Sequence, residues 1–196
     1  AEAVMRSHAR LTYDTVAAIV ADRNPRLRAE YAQLTPHLDG LYALYQAMRV
    51  SREQRGAMDF DTQETVIEYG ADRKIERILP TERNDAHRLI EECMIAANVA
   101  AARFLQRQRM PGLYRIHEGP SEDRRNKLRA FLGELGLGLS GGDKPTPKDY
   151  TRLLEQIRDR PDAHLIQTVM LRSLAQAVYS PANVGHFGLA LDAYAH

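Results

Sequence analysis

The sequence predicts an α+β fold dominated by helix, and three observations carry that expectation. The first is an unbroken helical pattern from Asn84 to Gln108, in which Ala86, Ile90, Cys93, Ala97, Ala100 and Phe104 recur at steps of three and four. The second is a helical pattern from Pro36 to Gly56 with an apolar stripe of Leu38, Leu41, Tyr42, Leu44, Tyr45 and Met48. The third is a change of period over residues 57–79. There Thr65–Tyr69 and Ile75–Leu79 read as strands about a turn at Gly70-Ala71-Asp72.

The pattern over 84–108 organises the rest. Thr81, Asn84 and Asp85 suit the free N–H groups at its start, and Arg103, Arg107 and Arg109 suit the negative end of its dipole. Between Cys93 and Ala102 Asn98 is the only polar residue, so this helix is expected to be a central strut buried on most sides. His87, Glu91 and Asn98 fall near one line along it, with Glu91 and Asn98 about 10 Å apart along the axis. A carboxylate on a mostly buried helix needs a partner. Two readings remain open from spacing alone: an ion pair (Glu92 with Arg88, Glu91 with an arginine from elsewhere), or a cleft lined by Glu91.

The other elements follow in order. Residues 2–13 alternate as a strand would. Thr12 is placed to cap a short helix, Tyr13–Ala21, and helices are expected over Arg26–Gln33 and Pro36–Gly56. Asp59-Phe60-Asp61 sets two carboxylates about an aromatic, a pair suited to a hard cation, although a solvated strand edge and a core phenylalanine are commoner. Met110-Pro111-Gly112 stops the long helix, Leu113–His117 reads as a strand, and Ser121 caps a helix to Leu135. Residues 136–148 form a glycine-rich loop without the GK[ST] of a phosphate loop. Helices over Pro147–Asp159 and from Asp162 to about Ala177 precede an extended C-terminal stretch with a tight place at Gly185-His186-Phe187-Gly188.

Composition narrows the classes. The chain has 196 residues, 44% hydrophobic and 27% charged, with a net charge of +1, which is ordinary for a soluble globular domain with one sizeable core. Its arginine clusters are interleaved with acids and read as solvated faces. One cysteine, Cys93, excludes an internal disulfide framework, fits a reducing compartment and reads as a buried, inert thiol. The apolar run Cys93–Ala102 is too short to span a bilayer, and no signal peptide is visible. The seven histidines are scattered, with no HExxH or CxxC, and the His87–Glu91 spacing alone is a weak metal signal.

Read as phrases, the chain says more. SHARLTY (7–13), RGAMDFD (55–61), ERNDAHRLIEECMIAANVAAARF (82–104), LYRIHEGPS (113–121) and AVYSPANVGHFGLALDAYAH (177–196) span it in order. They closely resemble the catalytic (RNB) domain of the bacterial ribonuclease R family, within the ribonuclease II superfamily. The resemblance implies processive 3′→5′ hydrolysis of RNA to nucleoside 5′-monophosphates in the cytoplasm, with Mg²⁺ at the reacting phosphate. Tyr13 and Glu91 match family positions that contact the terminal nucleotides and favour ribose, and Phe60 matches an aromatic that stacks on the end of the base column. His186 lies in a family phrase and is given no role beyond shaping the site.

The family's four metal-binding aspartates lie upstream of a segment like residues 2–13. Its Ser-Pro-Ile-Arg-Arg-Tyr phrase would follow His196. The flanking cold-shock and S1 domains of OB type have no counterpart here. Residues 1–196 are therefore expected to be a helix-rich middle piece of the catalytic domain, cut at both ends, with no metal ligands of its own and no activity alone. It would supply residues that position a single-stranded RNA 3′ end. The alternative is a non-catalytic RNA-binding or scaffold domain that kept the fold.

Overall fold

The computed structural model describes residues 4–60, 64–81 and 83–196. Asp61 and the first residues of the expected N-terminal strand lie outside them. The chain forms two units by the density of its internal contacts. Unit 1 is Ala1–Met48 with Gln63–Met94, and unit 2 is Arg49–Thr62 with Ile95–His196.

In unit 1 the segment before Thr12 takes no regular structure and its side chains are largely exposed. The expected strand is thus not formed over residues 4–12. Alternation of side chains does not make a strand where no neighbouring strand supplies backbone partners. Helix α1, Tyr13–Val20, starts where Thr12 accepts the backbone N–H of Thr15 at 3.2 Å. Helix α2, Pro25–Glu30, is capped by Asn24 and has proline at its first position, where a missing N–H costs nothing. It ends three residues before the expected Gln33. Helix α3, Thr35–Arg55, is tied to α2 by the two-pronged bond of Arg28 to Asp39, at 2.9 and 2.8 Å. Of its expected stripe, Tyr45 is fully buried and Leu44 is exposed.

Strands β1, Glu64–Tyr69, and β2, Ile75–Thr81, form an antiparallel hairpin. Ile67 faces Ile78 and Tyr69 faces Ile75 on one side, and Val66 faces Leu79 on the other. Helix α4 follows, Asp85–Gln108. It is long as expected, but its buried row is Ala86, Leu89, Glu92, Ile95 and Ala102. Ile90, Met94 and Phe104 are exposed, and Cys93 is half-buried. The expectation of a strut buried on most sides is corrected accordingly. Where nearly every residue is apolar, spacing fixes the period of a helix and leaves its rotation undetermined.

Unit 2 holds the packed core. Strand β3, Tyr114–Ile116, pairs antiparallel with β4, Val178–Ser180. Helices α5, Glu122–Glu134, α6, Pro147–Ile157, and α7, Ala163–Ser173, meet in a core that includes Leu128, Leu132, Tyr150, Leu153, Ile166 and Met170, each at most 2% exposed. Ser121 caps α5. Asp149 fixes the start of α6: one carboxylate oxygen accepts the N–H and the hydroxyl of Thr146, both at 2.7 Å, and the other accepts the Ser140 hydroxyl at 2.6 Å. Those donors hold its pKa down at about 2. Helix α7 stops at Ser173, four residues before the expected Ala177, where Leu174 turns extended.

Among the described residues no helix is long and apolar enough to cross a membrane.

Candidate functional site

The sequence singled out four side chains, and two of them belong to unit 1. Tyr13 is the first residue of α1, 45% exposed, with its ring stacked on His87 of α4 at 4.0 Å between centroids and 23° between planes. Glu91 follows His87 by one helical turn, so it lies on the same side of α4. The structure therefore brings Tyr13 to the stretch of α4 that carries Glu91. Glu91 is not buried: its side chain keeps 37% of its surface and pairs with Arg83, at 31%, just ahead of the helix. The ion-pair reading of Glu91 is thus realised, with an arginine eight residues upstream.

Asn84 organises this corner. Its Oδ1 accepts the N–H groups of Ala86 at 3.1 Å and His87 at 3.2 Å, which caps α4, and contacts His87 Nδ1 at 2.8 Å. An oxygen accepting two N–H groups has no proton to offer, so Nδ1 carries the hydrogen and donates it. The Asn84 amide donates to Asp14 at 2.9 Å, next to Tyr13 in the chain. Nearby, Tyr42 donates to Asp85 at 2.6 Å, and that bond with the adjacent charge raises the phenol's pKa.

The other two side chains belong to unit 2. Phe60 is half-buried and packs against the α5–α6–α7 core, as does Phe187. Beside it in sequence, Asp59 lies 4.0 Å from Arg52 and is largely exposed. His186 sits at the tight place foreseen in Gly185-His186-Phe187-Gly188. Its Nδ1 accepts the Leu189 N–H at 3.2 Å, and its ring stands edge-on to His117 at 5.0 Å and to Tyr194 at 5.4 Å. His117, unremarked in the sequence, uses both nitrogens: Nε2 donates to the Ala175 carbonyl at 2.8 Å, and Nδ1 accepts the Gly188 N–H at 2.9 Å. Glycine is required on both sides. A Cβ at Gly188 would lie 2.8 Å from His117 Nδ1, and Gly185 has φ +83° with the Leu191 carbonyl 2.9 Å from where its Cβ would be.

Burial, reinforced by the neighbouring His117, lowers the His186 pKa to about 4, and burial lowers that of His117 as well. Both imidazoles are therefore neutral near pH 7. They border a cavity of about 520 Å³ whose lining also includes Glu118, Phe187 and Asp192. Asn98, aligned with Glu91 in the sequence, donates instead to the Tyr194 hydroxyl at 3.0 Å.

Among the described residues no group of three or more His, Cys, Asp and Glu side chains is placed to hold a metal ion.

Residues 1–196 match the RNB domain over their whole length. The chain belongs to the RNB domain family. Among RNB relatives, ribonuclease R of Vibrio cholerae is 54% identical and that of Escherichia coli 53% identical, each over all of this chain and 24% of the relative. Ribonuclease R of Aquifex aeolicus is 39% identical over 28% of its length. The chain spans about a quarter of the length of these relatives. Mycoplasma genitalium RNase R, solved with ribose-methylated single-stranded RNA, superposes with a TM-score of 0.81 at 23% identity, covering 94% of this chain and 29% of that one. An active-site mutant of the Dss1 exoribonuclease from Candida glabrata superposes at 0.64, with 22% identity over 95% of this chain and 21% of that one. These likenesses show the fold, an α+β arrangement rich in helix.

Sequence reasoning missed two features of the RNB segment. The buried carboxylate of α4 is Glu92, 6% exposed, whereas the sequence reading had centred on Glu91. The row Ala86, Leu89, Glu92, Ile95 was available as a signal, but Glu92 argued against choosing it. His117 gave no signal at all, because a histidine at a strand end has no characteristic spacing.

Proposed function

We propose that this RNB segment reads the 3′ end of single-stranded RNA within a processive 3′→5′ exoribonuclease that releases nucleoside 5′-monophosphates. The observation that carries this reading is the corner where Tyr13 stacks over the first turn of α4 with Glu91 one turn further on. A phenol hydroxyl and a carboxylate both suit a 2′-hydroxyl, which donates and accepts. The segment's relatives, at 53–54% identity over all of its length, carry the name ribonuclease R.

Arg83 makes the assignment electrostatically reasonable. A bare carboxylate beside a phosphodiester repels it, and a guanidinium paired to Glu91 offsets that charge. Phe60, fixed from behind by the core, presents its remaining surface for stacking on a base, a contact that tolerates any sequence. His186 acts through shape: neutral and bonded to Leu189, it holds the loop that walls the cavity. Mg²⁺ at the scissile phosphate would be held by residues of the enzyme outside this segment, as would the remaining RNA contacts of OB-type domains. Its function is cytoplasmic RNA degradation.

The test is the ratio of kcat/KM on an oligoribonucleotide to that on the matching oligodeoxyribonucleotide, measured in the full-length enzyme. Tyr13→Phe or Glu91→Ala should narrow that ratio roughly two- to tenfold, the worth of one hydrogen bond. An unchanged ratio in both variants would remove the ribose-reading role. A full-length protein with no turnover on any RNA in Mg²⁺ would favour the non-catalytic reading, an RNA-binding or scaffold domain of the same fold.

A further inference from the structure

Tyr13 is exposed enough to meet a ligand, yet its orientation is not left to solvent. One face of the ring lies on His87 at 4.0 Å, nearly parallel. His87 in turn is held by its Nδ1–H bond to Asn84 Oδ1 at 2.8 Å. Asn84 donates to Asp14 at 2.9 Å, and Asp14 is joined to Tyr13 by one peptide bond. The contacts thus close a ring: Tyr13 to His87, His87 to Asn84, Asn84 to Asp14, and Asp14 back to Tyr13. Two helix starts are tied together by it, because Asn84 also caps α4 and Thr12 caps α1.

The ring has a consequence for recognition. A surface tyrosine free to change rotamer loses that freedom when a ligand fixes it, and affinity suffers by the same amount. A tyrosine already stacked loses little more. The ring therefore prepays the ordering of the phenol hydroxyl, and the component that fixes its plane is the imidazole. Any flat side chain at position 87 would support the plane, whereas an aliphatic one would leave the ring to tilt. The Nδ1–H bond orients the support and is secondary to its flatness.

We infer that His87 is a positioning residue for ribose recognition: it sets the Tyr13 ring, and through it the preference for RNA over DNA, without touching the sugar itself. This rests on the ribose-reading role proposed for Tyr13.

The experiment is the same RNA-to-DNA ratio of kcat/KM in the full-length enzyme, for Tyr13→Phe, His87→Leu, His87→Phe and the double variant Tyr13→Phe/His87→Leu. Tyr13→Phe calibrates the scale, with an expected loss of roughly two- to tenfold. His87→Leu should lose a comparable factor, and the double variant should lose no more than Tyr13→Phe alone, since both act through one hydroxyl. His87→Phe should restore most of the ratio, because a flat ring stays under Tyr13. A merely structural role for His87 would depress turnover on both polymers and leave their ratio where it was, which overturns the inference. If Tyr13→Phe shifts the ratio and His87→Leu does not, the inference falls alone. If Tyr13→Phe shifts nothing, the ribose reading falls and takes the inference with it. Should His87→Leu not fold, His87→Phe still decides: a ratio as low as that of Tyr13→Phe would show that ring stacking is not what matters.

Discussion

The α5–α6–α7 core of unit 2 and the β1–β2 hairpin of unit 1 are made of similar residues and treat them in opposite ways. In the core, Leu132, Ile157, Ile166 and Met170 are fully removed from solvent. In the hairpin, Ile67, Tyr69, Ile75 and Ile78 lie on one side and are between 41% and 62% exposed. The first set contributes its transfer free energy within this chain. The second contributes little, and a two-stranded hairpin is at best marginal by itself. The contrast teaches that apolar residues with clear periodicity mark a face that some surface must cover, not that this chain covers it. A chain spanning about a quarter of its relatives' length is where that distinction shows.

The largest effect is expected in the core. Leu132→Ala removes a side chain with no exposed surface between α5 and its neighbours, and such truncations cost about 2–5 kcal/mol. Urea denaturation of the chain would show it as a lower midpoint. A cost below about 1 kcal/mol would mean that unit 2 repacks freely, and the contrast with the hairpin would weaken.

Next in size is the response to acid, which also belongs to unit 2. An unfolded histidine titrates near 6.5, while His186 in the fold titrates at about 4. Between those values the unfolded chain binds more protons, so the stability contributed is full above pH 6.5 and is lost as pH falls toward 4. His117 is shifted in the same direction by burial. Asp149 acts lower. Its carboxyl moves from 3.8 to about 2, so its contribution is full above the unfolded value and is lost as pH falls through 2. Stability measured against pH should thus decline in two stages. His186→Asn keeps an acceptor for the Leu189 N–H and cannot titrate, so it should flatten the upper stage. Asp149→Asn should remove the lower one. A level profile from pH 6.5 to 4 in the unmodified chain would show that the two imidazoles are not buried in solution.

Much of the fold was legible for reasons that are local. Thr12 and Ser121 are caps because a side-chain oxygen three residues ahead of a free N–H group has one good use. The turn after Tyr69 followed from Gly70 and Asp72, and the tight place at 185–188 from its paired glycines. What stayed hidden depends on contacts distant in sequence. The rotation of α4 is set by what packs on it, so the choice between Glu91 and Glu92 as the buried acid could not be read from a run of alanines. Residues 4–12 alternate like a strand but form no strand. The candidate site divides the same way. The roles given to Tyr13, Glu91, Phe60 and His186 came from resemblance, although spacing alone had already left a cleft lined by Glu91 open. The ring of contacts through Asn84 and His87 became visible only when two helix starts were placed side by side.

The smallest expected effect completes the comparison. Ile78→Thr keeps the β-branched shape that suits a strand and changes a side chain that is already 60% exposed. It should alter the stability of this chain by less than about 0.5 kcal/mol, against several for Leu132→Ala. A loss above about 1.5 kcal/mol would mean that the Ile67–Ile78 face is covered in solution. A midpoint that rises with chain concentration would identify the cover as a second copy, and one that does not would place it within the same chain. Either result would convert the hairpin from a face awaiting cover into one that already has it, and the opposition between the two regions would no longer hold.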